Sequence, residues 1–415
     1  SGGDLTVNSG LITLRSGNAG GSIFLTGSGV NVVGGLTAGT DVIVNASGGI
    51  LTNFVSAGSN ISLSGLDINA AGPMSAGNDI LINAGIAATI ETATAGDDIV
   101  IDSQSLVAGE LETTGNGTDN EEDGASIRID VAALATVNNA TSASDLIIDA
   151  GRVASGGLLT ASGNIDITAA DTILLNDVTA NGDFALTGSQ IGFGDLVSGG
   201  NVTLQTVPGA ASPAGPPVGN GDIIGTGQLE ASGTVTVTAL RDVALPDVLA
   251  GLGATITAGR NMIVARAETS GDLTLTALNG SVTSSLLEST DASISVTSAS
   301  MTLGTVDASD AITLTSGTGG PISTGALLSG GDLTVDGGAN VTISRFAVGG
   351  DADISAAGNV LVNQGVQNPV ANTVAGNLDM AAPEIALQRT VVTGNANLNA
   401  VTSLTGQVEV GGTTT

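Results

Sequence analysis

The densest candidate for chemistry in this 415-residue chain lies at Asn78-Asp79 and Asp97-Asp98. Both pairs sit in nearly the same phrase, Ala-Gly-Asn-Asp-Ile-Leu-Ile from Ala76 and Ala-Gly-Asp-Asp-Ile-Val-Ile from Ala95, nineteen residues later. Two reactions suit carboxylates on Gly turns. Stacked Asp and Asn oxygens with turn carbonyls could supply the roughly six to eight oxygen ligands that Ca2+ takes, and Asp79, Asp97 and Asp98 are then the metal ligands. Paired carboxylates could instead serve as acid and base in glycoside cleavage. The residue inventory argues against an enzyme: there is no His or Lys for proton transfer and no Trp or Tyr to stack on a sugar. Against calcium stands the plainer reading of a solvated turn. The chain has neither the D-x-[DN]-x-[DN]-G order of a calcium loop nor the G-G-x-G-x-D nonapeptide of a calcium β-roll.

The spacing shows what must position these residues. The first apolar residue after each Gly-polar turn falls at Leu5, Ile23, Val42, Ile61, Ile80 and Ile99, then at Ile127, Leu146, Ile165, Phe184 and Val202. From Val42 to Ile99 and from Ile127 to Phe184 the step is nineteen residues. Beyond Val202 the rhythm loosens, with markers expected at Val235, Met262, Leu273, Ile294, Ile312, Leu333, Leu378 and Ala396. Inside one unit apolar residues alternate with polar ones, as at Ile165/Ile167, Ile173/Leu175 and Val178/Ala180. Period two in short runs means strands with one face inward. Three short strands per unit, each aligned with its equivalent one unit later, predict an all-β fold, a right-handed parallel β-helix of roughly nineteen-residue coils. Equivalent polar residues then stack at the corners: Asn60, Asp79, Asp98, Asp145, Asn164 and Asp183 before the marker, and Asn45, Asn83, Asp102, Asp130 and Asp149 near the end of the first strand. Asn and Gly suit such turns, whereas a column of Asp repels itself unless solvated, protonated or bridged.

Composition bounds the function. Apolar residues reach 41% with 1% aromatic, so the chain can fill a narrow aliphatic core. A formal charge of -31 repels nucleic acid and anionic membranes and favours cations. No signal peptide and no apolar run of transmembrane length is visible. The absence of Cys is compatible with an exported bacterial chain. Beginning at SGGDLTV and stopping at GGTTT, the sequence reads as one continuous β-helix segment, 1–415, cut from a longer protein.

The unit Ala/Ser-Gly-(Asn/Asp)-apolar-x-apolar-x-Ala, as in SGNIDITAA (162–170), SGDLTLTAL (270–278), SGGDLTVDG (329–337) and AGNLDMAAP (375–383), resembles the coil repeats of filamentous haemagglutinin-type adhesins. The resemblance covers almost the whole chain and implies a large exported fibre at the bacterial cell surface, passed through an outer-membrane secretion partner. It further implies a non-catalytic shaft that presents binding elements to a receptor or glycan on a host or neighbouring cell. The alternative is a self-assembling extracellular fibre or biofilm matrix.

Three breaks in rhythm are expected as loop excursions, at 108–126, 207–221 and 240–260. The first holds Glu110, Glu112, Asp119, Glu121, Glu122 and Asp123, which read as a solvated acidic loop. The second is Pro- and Gly-rich. The third brings Arg241 and Arg260 near Arg266, a basic cluster that local Asp242 and Asp247 would balance, with a carboxylate or sulfate site as its other reading. The outward residue between the two inward markers reads Phe24, Ile43, Ser62, Leu81, Val100, Arg128, Ile147, an apolar stripe suited to lateral association or to strand propensity alone. Later it becomes Thr203, Thr236, Thr274, Ser295, Thr313, Thr334. The pairs Thr236/Thr238, Thr274/Thr276 and Thr313/Thr315 resemble the paired threonines of ice-binding faces, but are few and irregular.

Overall fold

The computed structural model describes residues 2–115, 124–209, 221–362 and 371–414. It is all-β, with no helix among the described residues, a parallel β-solenoid of about 20 turns with coils about 19 residues apart. The chain divides into two compact units, Ser1–Gly200 with Val207–Val218, and Asn201–Thr206 with Gly219–Thr415.

Each coil contributes to three parallel sheets, and in each sheet a residue pairs with its equivalent in the next coil. In the first unit the first sheet aligns Leu5, Ile23, Val42, Ile61, Ile80 and Ile99. The second aligns Val30, Ile50, Ile68, Ala88 and Leu106. The third aligns Leu36, Val55, Met74, Ala93 and Leu111. All of these from Ile23 onward are buried. One coil cannot shield its own apolar edge, but stacking joins the edges into a core. Each large aliphatic side chain so buried contributes about 1.5–3 kcal/mol. The period-two alternation puts Ile23 and Leu25 inside and leaves Phe24 between them half-buried on the outer face.

The Ala-Gly of the repeated phrase is explained at the corner where the third sheet returns to the first. Ala38, Ala57, Ala76 and Ala95 are buried there. The glycine that follows stacks on its predecessor at main-chain distance. A Cβ on Gly58 would lie 2.2 Å from the carbonyl oxygen of Gly39, and one on Gly77 2.1 Å from that of Gly58. The Gly58 and Gly77 N–H groups meanwhile donate to the Ala38 and Ala57 carbonyls at 3.1 and 3.2 Å.

Unit two continues the scheme and revises the markers. Its first sheet aligns Val235, Ala254, Leu273, Ile294, Ile312, Leu333, Ala352, Leu378 and Ala396. The excursion expected at 240–260 is a correction: Val243–Ala250 and Gly253–Ala258 are regular strands, and Met262 pairs with Val243 in the second sheet. The coil is silent in sequence because its marker position holds a small residue, Ala254, after Gly253 instead of Asn or Asp. The acidic excursion also narrows. Strand Ile99–Thr113 carries Glu110 and Glu112 in register with Thr92 and Thr94, so both sit on the third sheet. Asp119, Glu121, Glu122 and Asp123 lie outside the described residues, as does most of 207–221.

The corner geometry predicts a sharp positional contrast among glycines. Gly77→Ala must push two main chains apart and is expected to destabilise the protein by roughly 1–3 kcal/mol. Gly10→Ala, where a Cβ meets nothing within 4 Å, should stay within about 0.5 kcal/mol of wild type. Urea unfolding followed by circular dichroism measures both.

Candidate functional site

Asp79 and Asp98 occupy the same half-buried corner position on successive coils, immediately before inward Ile80 and Ile99. Their side chains act along the coil stack. Asp41 Oδ1 accepts the Asn60 N–H at 3.2 Å, Asn60 Oδ1 the Asp79 N–H at 3.1 Å, and Asp79 Oδ1 the Asp98 N–H at 3.2 Å. Asp98 Oδ1 in turn accepts the Ser126 N–H at 2.8 Å. The carbonyls of the same residues run the ladder the other way, with Ile61 N–H on Asp79 O at 2.9 Å and Ile80 N–H on Asp98 O at 2.8 Å. The chain turns here and would leave its N–H without a strand partner, and the preceding coil's side-chain oxygen supplies one. Only one acceptor oxygen is needed, so Asn and Asp interchange. The pattern recurs at Asp145–Asn164–Asp183, and in the second unit at Asp332–Asp351–Asn377–Asn395.

Asp97 stands one residue earlier, and its N–H donates to the Asn78 carbonyl at 3.0 Å. Among the described residues no three His, Cys, Asp or Glu side chains converge so as to hold a metal ion. One oxygen of Asp79 and one of Asp98 are engaged by a main-chain N–H of the next coil.

A second ladder lies at the corner entering the second sheet of unit two, where sequence reasoning expected a loop. Asp222 Oδ1 accepts the Asp242 N–H at 3.1 Å, Asp242 Oδ1 the Asn261 N–H at 3.0 Å, and Asn261 Oδ1 the Ser281 N–H at 3.2 Å. The arginines expected there are balanced within the unit. Arg260 pairs with Asp242, Arg241 with Asp222 at 3.7 Å and Arg266 with Glu268, while Asp247 lies opposite Arg266 in strand register. Burial alone would raise the Asp242 carboxyl, but the Arg260 hydrogen bond, the Asn261 N–H and the charges of Arg260 and Arg241 together hold it below its ordinary value. Arg260 is shifted upward, chiefly by its hydrogen bond to Asp242.

The outward stripes are set by the same register. Phe24, Ile43, Ser62, Leu81, Val100, Arg128 and Ile147 stack residue on residue, with Leu81 46% exposed. A second set of exposed apolar residues was missed, because they sit on the outer face of the second sheet: Leu51 at 43%, Val107 at 53% and Leu174 at 51%. Their columns alternate with Asn69, Thr89 and Thr136, which hides them from a search for apolar runs. The threonine pairs of unit two gain Thr255/Thr257 from the recovered coil and Ser295/Thr297 from the coil of Ile294, giving five consecutive rungs from Thr236/Thr238 to Thr313/Thr315.

Two outcomes follow from the ladders. Asp79→Asn keeps the acceptor and should leave stability unchanged, while Asp79→Ala strands the Asp98 N–H and should lose about 1–2 kcal/mol in urea unfolding. A melting-temperature rise specific to Ca2+ and lost in Asp79→Asn would instead make Asp79 a metal ligand. For Asp242 the folded value is depressed, so its charge contributes stability present above the ordinary carboxylate range and lost as pH falls through the lowered value. Asp242→Asn keeps the ladder acceptor, so it should lower the melting temperature at neutral pH and match wild type in acid. An equal difference at both pH values would assign the loss to packing. No protein family, curated protein or solved structure matches the chain.

Proposed function

We propose that this chain is a non-catalytic shaft segment of an exported bacterial surface fibre of the filamentous haemagglutinin type, which presents binding elements to a receptor or glycan on another cell. The observation that carries the reading is what the acidic residues do. The corner side chains Asn60 and Asp79 act as acceptors that tie coil to coil. A fold whose polar chemistry is directed along its own stack is suited to presenting surface, and the repeated phrase at 162–170 and 270–278 supports the family reading. Secretion through an outer-membrane partner and location at the cell surface belong to the same proposal.

The alternative, a self-assembling extracellular fibre or matrix protein, is favoured by one observation, the exposed Leu51, Val107 and Leu174 on the second sheet of unit one.

The two readings separate by saturable binding of labelled protein to host or neighbouring bacterial cells, together with sedimentation over a concentration series. The shaft reading expects saturable cell binding and a single concentration-independent species. Concentration-dependent assembly abolished by Leu51→Ser with Val107→Ser, without cell binding, would establish the matrix reading. Release of reducing sugar from polysaccharide, lost in Asp98→Asn, would overturn both.

A further inference from the structure

Unit two carries a regular hydroxyl surface that coil stacking does not use. On the outer face of its first sheet, register pairing stacks Thr236, Thr255, Thr274, Ser295 and Thr313 in one column. Two residues further along each strand, a second column holds Thr238, Thr257, Thr276, Thr297 and Thr315. The alternate residues, from Val235 and Val237 to Ile312 and Leu314, are buried, so both columns face outward. No bulge falls between the columns in any of the five strands. Among the described residues none of these hydroxyls is taken up by a protein hydrogen bond. The columns also exclude charge. In a chain with 39 Asp and Glu, neither holds an ionised side chain until Asp336 follows Thr315. In unit one the outer face of the first sheet instead stacks Asp102, Asp130 and Asp149.

We propose that this face of unit two binds ice, the ordered surface of crystalline water. Such binding goes beyond the presentation of a receptor-binding element and does not depend on it.

Two repeats at once select the ligand. Equivalent hydroxyls recur about every 4.8 Å along the stack, and the columns stand about 6.6 Å apart, two residues of parallel strand. Water in ice is bonded tetrahedrally at about 2.75 Å, which sets oxygens sharing a neighbour about 4.5 Å apart and repeats the bonded layers about every 7.3 Å. Along the stack the mismatch is about 0.3 Å per coil and accumulates to about 1.2 Å over the four steps of the array. That is less than half the length of one hydrogen bond, within the swing of a hydroxyl. Each hydroxyl both donates and accepts, the two roles a lattice water needs filled. The branched Cβ of Thr restricts its rotamers, so the array is largely preorganised. Other ligands meet the face less well. A polymer chain follows one repeat and leaves the other unused. A mineral surface calls for ionised groups, which the columns lack. A crystalline polysaccharide presents sugar faces to aromatic side chains, and the chain has no Trp or Tyr. Neutral columns also suit ice itself, because a charge pressed against it loses its liquid hydration shell.

Partition of the full chain into slowly grown ice tests this, with a globular protein that does not bind ice as the reference. The chain should be taken into the ice while the reference is driven ahead of the front. Thr255→Glu with Thr297→Glu sets a charge at an exposed position in each column. It should cut the ice fraction about tenfold or more at unchanged melting temperature. Thr255→Tyr, a residue favoured on strands, lifts a ring out of the plane and should lower the ice fraction as well. Thr26→Glu with Asn83→Glu, on the first sheet of unit one, should leave it unchanged. Exclusion of the wild-type chain from ice, an ice fraction untouched by both unit-two variants, or an equal loss in the unit-one variant would overturn the proposal.

Discussion

Everything in this protein depends on main-chain hydrogen bonds between a residue and its equivalent one coil away. That bond fixes the spacing of coils at about 4.8 Å and leaves the sequence little freedom at each position. Inward positions are mostly apolar, because residues such as Ile61, Ile80 and Ile99 are each roof and floor to one another. Glycine recurs at corners where main chains come close, as at Gly58 and Gly77. Where the strand ladder stops at a turn, a side chain must continue it, and Asn60, Asp79 and Asp98 do so.

The same constraint accounts for an acidic chain with so little evident acidic chemistry. Each ladder carboxylate gives one oxygen to an N–H of the next coil and remains half-buried or exposed, so water reaches the remaining charge. Asn60 standing between Asp41 and Asp79 spaces two charges by a neutral acceptor without breaking the chain of bonds. Four arginines pair with acidic neighbours, as Arg260 does with Asp242. Acceptors at corners and hydroxyls or carboxylates on outer columns are separate uses of polar residues. The outer columns are freer to differ from coil to coil.

The parallel β-solenoid was legible in the sequence because its signal is periodic and redundant. Leu5 to Phe184 mark the first sheet, and the structure pairs them in that order through Ile99 and again from Ile127 to Phe184. The coil containing Ala254 was not legible, since a stack tolerates one small residue where the rest of the column is large, and a pattern search does not. The function of the corner aspartates was half legible. Their stacking followed from the nineteen-residue step, but their partner is a main-chain N–H, and main-chain groups leave no trace in sequence.

The central claim is that corner side chains complete the coil-to-coil hydrogen bonding without help from a bound ion. Residue-resolved amide hydrogen exchange tests it most directly, at Asn60, Asp79 and Asp98 in Ca2+ and in chelator. Their N–H groups should exchange about as slowly as those of Ile61, Ile80 and Ile99 and equally in both conditions. Fast exchange at these corners, or protection that appears only with Ca2+, would contradict the account.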